Sequence, residues 1–206
     1  MNASDPSGEE AQTLNGGSAS IGGPGYLSAL SWSMFDGLDA LSAETGINID
    51  VKNLLQRHIS PGATDVFAFM IFRGMLTYGM IGQTVGNGKN GSGGDTHHIV
   101  PSIDYSASTD LRIGKLNNKE AEALVNQLAF FGFAAFLRIP GEDHWPSSQA
   151  RHIHAVYAGA ALGGFTHQQV FDFVHTPELN GLRSHAPYNL FHWNPGNVQA
   201  IYGYTH

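Results

Sequence analysis

The strongest constraint on the fold is a change of hydrophobic period within residues 117–157. Residues 117–132 begin with asparagine, end with glycine and repeat apolar residues at helical spacing, namely Ala121, Leu124, Val125, Leu128 and Phe131. The later segments FAAFLRI and HIHAVYA are typical of strands. Helices beside a sheet whose strands are partly joined by loops favour an α+β fold. We expect a small, mainly antiparallel central sheet with flanking helices.

Other segments complete the predicted organisation. Residues 1–25 are polar and rich in glycine, which predicts a flexible tail before a single domain at 26–206. Residues 27–41 have helical spacing, whereas the apolar run at 65–82 fits a helix, a strand, or a helix passing into a strand. In THQQVFDFV, Thr166 and Gln169 have the spacing of a capping box, which predicts a helix starting at that threonine.

Composition excludes several functional classes. The chain has 10 Lys and Arg against 17 Asp and Glu, a net charge of −7, which argues against nucleic acid as a partner. It has no cysteine, so histidine and carboxylates are its strong metal ligands. The chain contains 11 histidines. No run approaches the roughly 20 apolar residues of a membrane span. Low lysine and abundant glycine suit a secreted or cell-envelope protein; oligomeric state is left open.

Histidines mark a candidate metal site. In a strand HIHAVYA, His152 and His154 project from the same face because residues i and i+2 do so. Upstream, six residues separate His97 from Asp104. A catalytic zinc takes three protein ligands and keeps a fourth position for water, so a His, Asp and His site is chemically plausible.

The sequence resembles the zinc-ligand signature of a metallopeptidase family in the order and spacing of three elements: His97, Asp104 after six intervening residues, and His152-x-His154. This family includes lysostaphin-type endopeptidases and D-alanyl-D-alanine carboxypeptidases, and the resemblance extends over residues 65–160. It implies a hedgehog/DD-peptidase-like fold and Zn²⁺ bound by His97, Asp104 and His154. It also implies hydrolysis of peptide bonds, with peptidoglycan stem peptides or cross-links as substrate and His152 polarising water or stabilising the oxyanion.

The sequence departs from this family at two points. His98 competes with His97 as ligand, and Arg151 occupies the position where the family commonly has a glutamate. The general base is therefore open: His152 is the first candidate, and Glu142 and Asp143 in the preceding loop are further ones. Arg73 is a candidate for holding a terminal carboxylate of the substrate.

Two other functions remain open. The segment HHIVP also resembles the start of His-Asn-His nucleases; Asn117 and Asn118 are present, but the histidine expected soon after them is not. The third class is a non-catalytic, zinc-containing binding module, which the missing glutamate allows.

Overall fold

The computed structural model describes residues 58–84, 105–142, 144–176 and 179–182, together with residues 187, 198, 201 and 203. Its elements, in chain order, are α1 (Pro61–Phe72), a 3₁₀ helix (Tyr78–Met80), β1 (Ser108–Arg112), α2 (Asn118–Phe130), β2 (Phe133–Arg138), β3 (His152–Tyr157) and α3 (Gly164–His175). The predicted mixture of helices and strands is confirmed. The expected tail at 1–25 and helix at 27–41 lie outside the described residues.

The sheet has three strands in the order β1-β3-β2, and both outer strands are antiparallel to β3. The prediction of a small antiparallel sheet is therefore confirmed. β1 and β2 run parallel to each other and are joined through α2, so that β3 is inserted into a β-α-β unit. The strand β1 was not expected from the sequence.

The pairing register places functional side chains in two neighbouring rows on one face of the sheet, because directly paired residues share a face. The inner row is Asp110, His154 and Phe136, and the outer row is Arg112, His152 and Arg138. The expectation that both histidines share a face is confirmed, and the register adds an aspartate and two arginines to them.

Helices cover both faces of the sheet. On the face that carries the histidines, Phe173 of α3 packs edge-on against Phe136, with ring centroids 5.6 Å apart. On the opposite face, Phe67 of α1 stacks on Phe133 at 5.0 Å. These aromatic side chains are fully buried. The sheet is thus packed between helices, and α3 forms one wall above its polar rows.

The apolar run that sequence periodicity left open is a helix followed by an extended segment. Pro61 occupies the first turn of α1, where its missing N–H costs no hydrogen bond. The helix ends at Phe72 with Arg73 as C-cap, and Gly74 follows with a φ of +68°, which suits glycine. The chain then returns beside β1, where the Gly82 N–H donates to Asp110 O and the Asp110 N–H donates to Gln83 O, both at 2.7 Å. This pairing covers the edge of the sheet next to Asp110.

The start of α3 differs from the prediction. The helix begins at Gly164 after Gly163 as N-cap, and no side chain caps it. Thr166 lies inside the first turn, and its hydroxyl donates to Gly163 O at 3.0 Å. The capping box of Thr166 and Gln169 is therefore wrong, because the N-cap is Gly163, three residues before Thr166, and Gln169 contacts His154 of the sheet instead.

The predicted asparagine cap of α2 is confirmed and gives a first testable prediction. The Asn117 side chain accepts the Glu120 N–H at 3.0 Å, and the Glu120 carboxylate accepts the Asn117 N–H at 2.8 Å. We expect Asn117→Ala to lower the free energy of unfolding by about 1 kcal/mol in urea denaturation. Asn126→Ala, on the exposed surface of the same helix, is the control and should be neutral or stabilising. Equal losses in both variants would contradict the cap's contribution.

Among the helices that the structure describes, none has the length and apolar character needed to cross a bilayer.

Candidate functional site

A pocket of about 480 Å³ lies over the polar rows of the sheet. Its floor includes Asp110, His152 and His154. The β2–β3 loop contributes Trp145, and α3 contributes Gln169. All three strands, the loop between β2 and β3, and α3 therefore converge on the two histidines.

His154 is buried at the floor of this pocket, with 7% of its side chain exposed. Its Nδ1 lies 2.8 Å from Asp110 Oδ1, and its Nε2 lies 3.2 Å from Gln169 Oε1. The Gln169 amide is itself oriented, because its Nε2 donates to Gly181 O at 3.0 Å. A chain of hydrogen bonds thus runs from β1 through β3 and α3 to Gly181.

This chain of hydrogen bonds determines which ring nitrogen of His154 carries a proton toward Gln169. Because the Gln169 NH₂ group faces a carbonyl, its oxygen faces the imidazole and needs a donor there, so Nε2 carries a hydrogen. Nδ1 then faces a carboxylate oxygen, and either a proton or a cation must lie between them. Both ring nitrogens of His154 are therefore engaged, Nδ1 by the Asp110 carboxylate and Nε2 by the Gln169 amide oxygen.

His152 has a different environment. Its Nδ1 lies 2.9 Å from Ala150 O, which can only accept, so Nδ1 carries the hydrogen. Its Nε2 lies 3.6 Å from Asp110 Oδ1, which is too long for a hydrogen bond. In the neutral ring, Nε2 therefore presents its lone pair at the pocket, as a base or a metal ligand requires.

Arginine side chains frame the histidines. Arg138 is 2% exposed, and its Nη1 donates to Asn180 O at 2.6 Å. Its guanidinium lies 5.7 Å from the Trp145 ring centroid, and the Trp145 ring contacts His152 edge-on at 5.1 Å. Cation–π contact and the backbone hydrogen bond hold the arginine in place.

Arg151 holds the start of β3 in place through hydrogen bonds to neighbouring residues. Its Nη1 donates to Leu116 O at 2.7 Å and to Ile113 O at 3.2 Å, and its Nη2 donates to Asn118 Oδ1 at 2.9 Å. These bonds tie the start of β3 to the turn between β1 and α2. The same contacts give Asn118 a structural role, as the helix cap does for Asn117, so both asparagines of the nuclease interpretation have other partners.

The predicted site residues are placed as follows. His152 and His154 lie together in the pocket. Glu142 is exposed in a turn of the β2–β3 loop, and Arg73 is exposed at the end of α1, where its guanidinium lies 5.9 Å from the Phe69 ring centroid. Neither of these two side chains lines the pocket. The remaining candidates, His97, His98, Asp104 and Asp143, lie outside the described residues.

Two site residues were missed by sequence reasoning. Asp110 lies in STDLR, a strand with only one large apolar side chain, and its pairing with His154 becomes evident only from the sheet register. Gln169 was assigned to a helix cap. Its position two turns before the end of an amphipathic helix carries no chemical signal in the sequence alone.

Comparisons with protein-family models, with curated proteins and with solved structures give no match. Function must therefore be argued from the chemistry of the pocket, since a fold class alone does not determine it. Within the part of the chain that the structure describes, no three His, Asp or Glu side chains form a group that could hold a metal ion.

Proposed function

We propose that the protein is a zinc-dependent hydrolase of peptide bonds with its active site in this pocket. The observation that carries the proposal is the convergence of His154 Nδ1 and Asp110 Oδ1 at 2.8 Å, with Nε2 of the same ring committed to Gln169. Nitrogen and carboxylate ligands suit zinc, and the outer hydrogen bond aims the ligand nitrogen.

In this proposal Asp110 takes the ligand role that the sequence pattern suggested for Asp104. His154 keeps its predicted role as ligand. A further ligand has to come from outside the described residues, and His97 remains the candidate, with His98 as its competitor. The order along the chain, with one histidine in a loop, a carboxylate on β1 and the His-x-His pair on β3, supports a hedgehog/DD-peptidase-like fold.

Zinc at this position would lower the pKa of bound water toward about 7 and polarise a carbonyl. The protein's own contribution is His152, whose Nδ1–H is held by Ala150 and whose Nε2 can accept a proton. This arrangement supports His152 as general base, the role that Glu142 and Asp143 were also considered for. As a basic group beside the substrate, Arg138 is better placed than Arg73, because it lines the pocket.

The substrate we propose is a peptide, with peptidoglycan stem peptides or cross-links as the first class to test. A pocket of about 480 Å³ is in the range that accommodates a short peptide segment. Action on such a substrate goes with a secreted or cell-envelope location. These assignments rest on the resemblance in the sequence together with the pocket chemistry.

The decisive experiment is the metal content of the purified protein by elemental mass spectrometry, in parallel with hydrolysis of peptidoglycan fragments. We expect about one zinc per chain, lost in His154→Ala and Asp110→Ala because each removes a ligand. His152→Ala should retain most of the zinc and lose turnover by about 10²–10⁴-fold, as removal of a general base does.

Asp104→Ala is the matched control for the carboxylate. Full retention of zinc in Asp104→Ala with loss in Asp110→Ala would support the assignment, whereas the reverse would restore Asp104 as ligand. Absence of zinc after reconstitution would contradict the hydrolase. Cleavage of plasmid DNA with magnesium would favour the nuclease, and zinc binding without either activity would favour the binding module.

A further inference from the structure

We infer that the pocket contains an oxyanion-binding subsite formed by Arg112 and Arg138 on either side of His152. The subsite would bind a carboxylate or phosphate group, two anions that share the geometry arginine recognises. That the substrate carries this anion beside the bond to be cleaved rests on the proposed function. Binding of an anion between the two arginines does not depend on it.

The first observation is the outer row of the sheet. Arg112 pairs with His152 across β1 and β3, and Arg138 pairs with the same histidine across β2 and β3. The row thus places one arginine on each side of the same imidazole, and an anion bound between them would reduce the repulsion between their two positive charges.

The second observation is the charge of the pocket. Its described lining contains three arginines, Arg112, Arg138 and Arg151, and one carboxylate, Asp110. The whole chain carries a net charge of −7. The described lining of this pocket thus carries an excess of positive charge, and its low-dielectric walls strengthen the attraction for anions.

The two arginines differ in a way that suits binding. Arg138 is 2% exposed and is fixed by Asn180 O and by the Phe136 ring, whose centroid lies 5.0 Å from its guanidinium. Arg112 is exposed, and the stem of its side chain passes close to the backbone of Gly82, where a Cβ would lie 3.3 Å from Arg112 Cγ. A fixed arginine presents a preorganised donor, while the exposed one can close on the ligand.

The test is a direct binding measurement by isothermal titration calorimetry on the full chain. The probes are inorganic phosphate, N-acetyl-alanine and N-acetyl-alanine amide, which separate a phosphate source from a carboxylate source and include a neutral analogue. We expect the acid or phosphate to bind and the amide to bind at least about tenfold more weakly, since a charge-assisted hydrogen bond is lost. Raising the salt concentration should weaken the anion's binding.

Arg112→Gln should weaken anion binding by about 10- to 100-fold, and Arg112→Lys should fall between this variant and the wild type because it keeps the charge but not the planar pair of donors. Lys119→Gln, an equal loss of charge on the exposed surface of α2, is the control and should bind like the wild type. Equal binding of acid and amide, or unchanged affinity in Arg112→Gln with circular dichroism showing a folded protein, would overturn the subsite. Anion binding without hydrolysis of any peptide would refute the proposed function and leave the subsite standing.

Discussion

Asp65→Asn is expected to raise the free energy of unfolding by up to about 4 kcal/mol at pH 8 and to have almost no effect at pH 4. Asp65 is buried in α1, with 8% of the residue exposed, and its Oδ1 makes no hydrogen bond. Burial raises the pKa of this carboxyl from 3.8 to about 7. Ionised Asp65 therefore destabilises the folded chain, and a neutral amide of the same shape would not.

The sign follows from proton binding. Between pH 4 and pH 7 the folded chain keeps the Asp65 proton, whereas the unfolded chain has lost it, so stability falls as pH rises through this window and levels off above pH 7. Tyr157 adds no second charge in this range, because its own burial and the negative charge of Asp65 raise the pKa of its phenol to about 12. The phenol stays neutral over the whole range.

Urea denaturation of the wild type and of Asp65→Asn at pH 4, 6 and 8 measures the effect. The two curves should coincide at pH 4 and separate progressively toward pH 8. Glu122→Gln, a change of the same chemistry at a partly exposed position of α2, is the control and should leave the pH dependence unaltered. Parallel pH profiles for the wild type and Asp65→Asn would show that the burial of this carboxyl carries no such penalty.

Gly181→Ala is expected to destabilise the fold by about 2–4 kcal/mol and to disturb the histidine pocket at the same time. Gly181 has a φ of +61°, and a Cβ on it would lie 2.5 Å from Cζ of the Phe136 ring. That ring is fully buried between β2 and α3, so it cannot move away without loss of packing. The Gly181 carbonyl, which holds the Gln169 amide, would shift with it.

Gly74→Ala separates the cost of the left-handed backbone from the cost of the clash with Phe136. Its φ of +68° is nearly the same, but a Cβ there would meet nothing within 4 Å, so only the backbone cost of roughly 1 kcal/mol is expected. Thermal unfolding gives the stability of each variant, and the imidazole NMR resonances of His154 report on the pocket. Those resonances should change in Gly181→Ala and remain in place in Gly74→Ala; unchanged resonances in both would break the proposed link from Gly181 to the site.

The elements that the sequence predicted are those in which local pattern and tertiary environment agree. α2 has one apolar face and an asparagine cap, and β3 alternates His152 and His154 with apolar residues, so period and burial give the same answer. The run that became α1 is apolar on nearly every side, so its pattern fitted a helix, a strand, or a helix passing into a strand. Periodicity fails there because such a helix is buried all round.

The site was predictable only in part. The shared face of His152 and His154 follows from strand geometry, but their partner Asp110 lies 44 residues from His154 along the chain and meets it through the β1–β3 register. Register is a property of the assembled sheet. Gln169 was misassigned because helix propensity cannot fix a start to within two residues when glycines precede a threonine.

The insertion of β3 between β1 and β2 has a consequence for how the protein is made. Translation produces both outer strands before the central one, and neither of them has its sheet partner until His152–Tyr157 has emerged from the ribosome. The two polar rows are assembled in that same event, because β3 contributes the middle member of each. During synthesis, the sheet and its two polar rows therefore close together, and the pocket is complete only after α3 has followed and placed Gln169 beside His154.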